Sequence, residues 1–264
     1  MMNIRTIAVA SLMLLLASCA PPLDEFNSDM GIAWVRDSSE YQALARQVYR
    51  SASLSLPAMI ADSSWSALPW QADATDLPPA IILDIDETAL TNARFQAALV
   101  PPFRDDKLTN WSEENTAMAV PGAVDFVRLA VESGVAVFFL TNRPCKDIPG
   151  NACPQKSVVV DDLVEAGFPA SDANVTLSYE RPEWSKEKSI RRMLIAADYR
   201  VIMLIGDDLG DFIPCTRKRP LAPCNTGATR TSRQALVEEH AAYWGNGWYV
   251  LPNPMHGSWT SVSE

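Results

Sequence analysis

Short aliphatic runs recur along this chain, with stretches long enough for a helix between them. Ile81-Ile82-Leu83, Val135 to Leu140 and Val201 to Ile205 are strand-forming without polar alternation, as strands buried on both faces of a parallel sheet are. The predicted order starts with a helix over 39–54, continuing loosely past Pro57, in which Tyr41, Leu44, Val48 and Ser51 share one face. Strand 81–84 follows, then an irregular, aromatic-bearing segment over 91–119. Pro121 opens the next helix at its first turn and Gly134 closes it. Strand 135–140, helix 155–166, strand 174–178, helix 186–198, strand 201–205, helix 231–244 and strand 248–251 complete the pattern. Strands joined by helical crossovers give an α/β fold, a parallel sheet with helices on both faces.

Polar residues stand where the runs end. Ile81-Ile82-Leu83 leads into Asp84-Ile85-Asp86-Glu87-Thr88. Open α/β sheets place ligands at the carboxyl ends of their strands, and in extended backbone Asp84 and Asp86 face the same side. Two carboxylates held together call for a cation between them or for proton chemistry. A strand end followed by a helix cap would use the same residue types. Val135 to Leu140 leads into Thr141-Asn142-Arg143, and Val201 to Ile205 into Gly206-Asp207-Asp208-Leu209-Gly210-Asp211. Between them Lys186, Lys188, Arg191 and Arg192 cluster at the start of a helical pattern. Each alone fits a capped loop, a Gly-Asp turn or a solvated basic face. In this order they form one site of acid pair, hydroxyl, lysine and second acid pair.

These four motifs resemble, in content and order, those of the haloacid dehalogenase (HAD) superfamily of phosphohydrolases. The chain further resembles the class C acid phosphatases, the lipoprotein e type of bacterial outer-membrane 5′-nucleotidase. That resemblance rests on Trp34 through Tyr49, Pro121-Gly122-Ala123, Thr141-Asn142-Arg143, Gly206 through Phe212 and Leu251 through Trp259, and spans about residues 33–260. His256 departs from it, standing where the family pattern has tyrosine, as does the cysteine-bearing insert after Arg143.

The resemblance implies a HAD-like Rossmannoid core within a catalytic domain over 34–260, with a small, mainly helical cap from about 34–75 and 91–119. It implies a Mg²⁺-dependent acid phosphatase acting on small phosphomonoesters, nucleoside 5′-monophosphates among them. Asp84 would attack phosphorus to form an aspartyl-phosphate, and Asp86 would protonate the leaving oxygen and later activate water. Asp84, Asp207 and the backbone carbonyl of Asp86 would hold Mg²⁺, with Asp211 ligating through water or orienting Lys188. Thr141 and the Asn142 N–H would hold phosphate oxygens, Arg143 would meet the anionic substrate alongside Lys188, and Thr88 would support the loop. The family's lysine precedes an arginine by three positions, which selects Lys188 with Arg191 and leaves Lys186 as the alternative. Phe95, Phe103 and Trp111 lie in the segment that would overhang the acids, with Trp111 the expected stacking platform for a base. A ligand-binding lipoprotein could keep this fold, but a binder needs no acid and base in addition to a metal site. A phosphotransferase would share the phosphoenzyme and so every residue named.

The amino terminus adds location. Arg5, the apolar stretch Ile7 to Leu16 and then Leu16-Ala17-Ser18-Cys19 read as a signal peptide over 1–18, too short in its apolar part to span a bilayer. Small residues leading into Cys19 look like the bacterial lipobox. Cys19 would then be lipidated, residues 19–33 would form a tether, and Ala20 in the next position favours the outer membrane. Removing Cys19 leaves Cys145, Cys153, Cys215 and Cys224, an even set that reads as two disulfides in an exported protein. The sequence-near pairing, Cys145–Cys153 and Cys215–Cys224, is expected, and Cys145–Cys215 stays open. The two histidines, His240 and His256, are remote in sequence from these cysteines, which disfavours a shared metal site. At 264 residues and 48% hydrophobic content the chain supports one core, and its net charge of −10 argues against nucleic acid as a partner. Oligomeric state is left open.

Overall fold

The computed structural model describes residues 28–114, 117–147, 150 and 152–262. Its centre is a parallel sheet of β1 (Pro79–Leu83), β4 (Ala136–Pro144), β5 (Val175–Ser178), β6 (Arg200–Gly206) and β7 (Trp248–Val250). Their order is β5-β4-β1-β6-β7, so β1 is central and flanked by β4 and β6. Alternation along β1 divides the core. Ile81 and Leu83 point into the larger apolar cluster, whereas Ile82 joins the cluster on the opposite face. Helices α2 (Ser39–Ala61), α5 (Ala123–Glu132) and α6 (Gln155–Glu165) cover the first face. Helices α7 (Ser189–Asp198) and α8 (Arg230–Glu239) contribute Ala196 and Leu236 to the second.

Several boundaries move for physical reasons. β4 runs past the aliphatic residues through Thr141, Asn142 and Arg143, because after a register shift beyond Leu140 the backbone pairs with β5 again, Pro144 opposite Ser178. The buried face of α2 is Tyr41, Ala45, Tyr49, Ala52, Leu56 and Met59, while Leu44 is 40% exposed. Small alanines on that face let α2 approach α5, and the hydrophobicity of Leu44 alone points to the wrong side. Gly122 stands at φ 94, outside helical space, so α5 starts at Ala123, two residues after Pro121. α7 starts at Ser189, leaving Lys186 and Lys188 on the preceding loop.

The expected irregular segment is instead ordered. It holds β2 (Leu90–Thr91), α3 (Ala93–Ala98), α4 (Asp105–Glu114) and β3 (Met118–Ala119), with β2 and β3 paired antiparallel. This segment supplies Asn92, Gln96, Phe103, Asp105 and Leu108 to the cavity over the strand ends, whereas α2 packs into the larger core cluster. A further helix, α1 (Ser28–Asp37), begins inside the expected tether and packs on α3. The expected signal peptide and Cys19 lie outside the described residues. Among the described residues no helix is long and apolar enough to cross a membrane. Both sequence-near disulfides are present, with Cα–Cα distances of 4.9 Å for Cys145–Cys153 and 5.4 Å for Cys215–Cys224.

Candidate active site

Because β1, β4 and β6 are adjacent and parallel, their carboxyl ends bring three motifs to one place. Asp84 directly follows β1, its N–H bound to the Ile205 carbonyl at 2.9 Å. Asp207 follows β6, and Thr141 lies within β4. One oxygen each from Asp84, Asp207 and Asp211 lies within 4.8 Å of the others. Lys188, 3% exposed, reaches this cluster from the start of α7. Its Nζ donates to Asp84 Oδ1 and, at 2.6 Å, to Asp211 Oδ1. Lys186 instead sits at the rim, 3.4 Å from Asp105, so the structure separates the two lysines cleanly.

Burial pushes the Asp84 carboxyl up to about 7, Lys188 pulling against it and the charges of Asp211 and Asp86 pushing with it. Asp207 is raised as well, by burial first and then by Asp84 and Asp211. Burial opposes the charge on Lys188, but Asp211 and Asp84 outweigh it and raise the ammonium. Three clustered carboxylate oxygens matched by one ammonium leave a negative, oxygen-lined site. That donor set fits a hard divalent cation.

The side chain of Asp86 stands apart from this cluster. Its Oδ2 accepts from Thr141 Oγ1 at 2.8 Å, and its Oδ1 accepts from Arg143 Nε at 2.9 Å and Asn92 Nδ2 at 2.8 Å. Burial alone would raise it, but Arg143, Asn92 and Thr141 hold it at about 2. Asp211 enters the cluster with both oxygens committed, Oδ1 to Lys188 and Oδ2 to the N–H groups of Asp207 and Asp208 at 3.1 and 3.0 Å. Asp208 turns away to cap the following turn, accepting from Gly210 and twice from Ser258. Thr88 is fully buried, its carbonyl held by Tyr49 and its hydroxyl 3.4 Å from Asp207.

Arg143, 7% exposed, lines the cavity with its guanidinium donating to Asp86, Asp162, Ser112 and Asn92. One expectation needs correction. Trp111 packs beside Phe95, with ring centroids 5.9 Å apart, and is not part of the cavity wall. Phe103, 48% exposed, is the ring that lines the cavity. Of the basic cluster, Arg191 binds the Thr141 carbonyl and Asn142 Oδ1, and Arg192 binds the carbonyls of Gly210 and Asp211. Two further residues were missed: Asn253, which donates to Asp207 at 2.7 Å, and Asp162, which accepts from Arg143. Asn253 lay inside a family-like segment and could have been found. Asp162 lies mid-helix on α6, with no local signal.

Residues 17–259 match the family described as HAD superfamily, subfamily IIIB (acid phosphatase). The chain belongs to that family. Among solved structures it is similar to the class C acid phosphatase of Bacillus anthracis, at 27% identity and a TM-score of 0.70, covering 88% of this chain and 86% of that one. A second structure of the Bacillus protein, with tungstate bound, matches with the same figures. The HAD fold, the phosphomonoesterase class and the carboxylate cluster at the strand ends thus converge.

Gly206 is the backbone seat for this acid phosphatase's Asp211. A Cβ at that position would fall inside contact distance of the Asp211 side chain. Gly206→Ala is therefore expected to displace Asp211 and unseat Lys188, cutting kcat by at least tenfold while the folded state persists. Circular dichroism with steady-state kinetics checks this, and unchanged kcat would refute the packing argument.

Proposed function

We propose that the chain is a Mg²⁺-dependent phosphomonoesterase of the cell envelope that works through an aspartyl-phosphate on Asp84, with nucleoside 5′-monophosphates in its substrate range. The observation that carries this is the different setting of the two leading acids: Asp84 beside Lys188 in the cluster, Asp86 outside it among hydrogen-bond donors. The tungstate bound by the Bacillus relative, a tetrahedral oxyanion like phosphate, supports an oxyanion site here. Asp84, Asp207 and the backbone carbonyl of Asp86 would hold Mg²⁺. The bound ion would neutralise charge on the phosphoryl oxygens as a Lewis acid.

Lys188 fixes Oδ1 of Asp84, so attack falls to Oδ2. The new bond joins that oxygen to phosphorus as the ester P–O bond breaks, with the leaving oxygen taking its proton from Asp86. Asp86 then removes a proton from water, which attacks phosphorus as the Asp84–phosphorus bond breaks, restoring the Asp84 carboxylate, and the departing phosphate carries the proton off Asp86. Arg143, Thr141 and Asn92 keep Asp86 ionised in the free site, so the proton for the first step arrives with the substrate. Below a pH of about 6 a phosphomonoester carries one, which suits an acid phosphatase. Phe103 on the cavity wall offers a face on which a base can stack, worth about 1–3 kcal/mol. Water is the acceptor in this reading, and lipidation of Cys19 supplies the anchor.

Excess EDTA is expected to abolish phosphate release and Mg²⁺ to restore it; full turnover with metal verified as nil would end the metal reading. Asp84→Asn should drop turnover to background for every ester. Asp86→Asn should lose about 10²–10⁴-fold on nucleotides but much less on p-nitrophenyl phosphate, whose leaving group needs no proton. The reverse pattern would exchange the two roles. Cys19→Ser should move the protein from the detergent phase to the aqueous phase. Unchanged partition with unchanged mature mass would refute the anchor.

A further inference from the structure

The cavity over Asp84 and Asp86 holds about 520 Å³. A phosphoryl group fills on the order of 100 Å³ of that, at about 30 Å³ for each water-sized group. The remainder receives the leaving group, and two cations line it that touch none of the catalytic acids: Lys186 and Arg217. Lys186 has a partly exposed partner in Asp105 at 3.4 Å. Arg217 has no carboxylate within ion-pair distance among the described residues. Asp208, the acid whose charge it feels, already accepts from Gly210 and twice from Ser258.

The backbone around Arg217 is held from three directions. The Arg217 carbonyl accepts from the Ala228 N–H at 2.8 Å, and the Thr216 carbonyl accepts from Arg233 at 2.6 Å. The Cys215–Cys224 disulfide closes the loop that carries both residues. A half-buried guanidinium on a fixed backbone, unpaired in a chain of net charge −10, is a poor device for stability. It is a good one for recognition, since its planar fork matches a carboxylate or phosphate with two parallel hydrogen bonds.

We propose that Arg217, assisted by Lys186, is a specificity-determining subsite for a second anionic group on the substrate, a carboxylate or phosphate carried by the leaving group. The subsite deepens the phosphatase reading and rests on phosphoryl transfer occurring over Asp84. Favoured substrates are then phosphomonoesters with at least one further oxyanion.

The experiment compares kcat/KM within two substrate pairs that differ by one anionic group. They are adenosine 3′,5′-bisphosphate against adenosine 5′-monophosphate, and 3-phosphoglycerate against glycerol 3-phosphate. The wild type should prefer the more charged member of at least one pair, and the responding pair shows whether phosphate or carboxylate is read. Arg217→Gln should lower that preference about tenfold, the worth of one charge-assisted hydrogen bond, and Lys186→Gln should lower it less. The preference should also shrink as ionic strength rises. No preference in either wild-type pair would overturn the subsite. So would an unchanged ratio in Arg217→Gln, including with a lowered Tm, which would make Arg217 a structural counter-charge for Asp208. Wild-type turnover of p-nitrophenyl phosphate is measured alongside. Its absence would remove the phosphatase reading and the subsite with it, whereas turnover with unchanged ratios removes the subsite alone.

Discussion

Lys188 is the contact on which the rest of the site depends. It is buried, and its ammonium meets Asp84 and Asp211 together. Two unit charges about 4 Å apart interact by about 4 kcal/mol at an effective dielectric of about 20, so a lone buried carboxylate pair would not stay ionised there. The lysine stabilises both acids and also fixes geometry. Asp211 spends its other oxygen on the N–H groups of Asp207 and Asp208, so Lys188, Asp211 and the loop after β6 form one unit. Removing one partner of such a buried pair costs about 3–5 kcal/mol, and here the loss would spread to the loop.

The start of α7 extends that unit to the neighbouring strands. Arg191 reaches the Thr141 carbonyl at 2.6 Å, on β4, and Arg192 reaches the carbonyls of Gly210 and Asp211 beyond β6. Both guanidiniums are buried among backbone acceptors, and burial lowers both from the usual arginine range. Basic residues that look in sequence like a solvated helix face are thus the braces between strand ends. On the far side, Arg143 does the same for the acid outside the cluster, joining Asp86 to Asp162 on α6 and to Ser112 on α4. One guanidinium therefore ties the overhanging segment to the core at Asp86.

How much of this was legible follows from the range of each signal. β1, β4 and β6 announced themselves because strands buried on both faces need unbroken aliphatic runs, and the acids at their ends came with them. Lys188 could be picked out from Lys186 only by its spacing to Arg191 in the family resemblance; its partners lie 104 and 23 residues away. The buried face of α2 was misread because Leu44 is more apolar than Ala45, whereas close helix packing selected the smaller residue. Trp111 shares the overhanging segment with Phe95 and Phe103 and nothing in sequence separates them, but Trp111 packs on Phe95 while Phe103 takes the cavity wall. Asp162 and Asn92 act only through partners brought close by folding, and their sequence surroundings carry no trace of it.

The two leading acids show why a site must be read with its charges complete. Alone, Asp84 is raised to about 7 and Asp86 held at about 2. In the free site Asp84 would thus be the acid and Asp86 the base, the opposite of the order proposed for the first step. The causes resolve the conflict. Asp84 is raised by burial and by the like charges of Asp211 and Asp86, so positive charge joining the cluster returns it to the carboxylate that attack requires. Asp86 is held down by the positive charge of Arg143, with Asn92 and Thr141 adding hydrogen bonds. An anionic substrate arriving beside it offsets that charge and raises its affinity for a proton. Environments that push paired acids apart assign catalytic roles, and here the substrate and the cation are part of that environment.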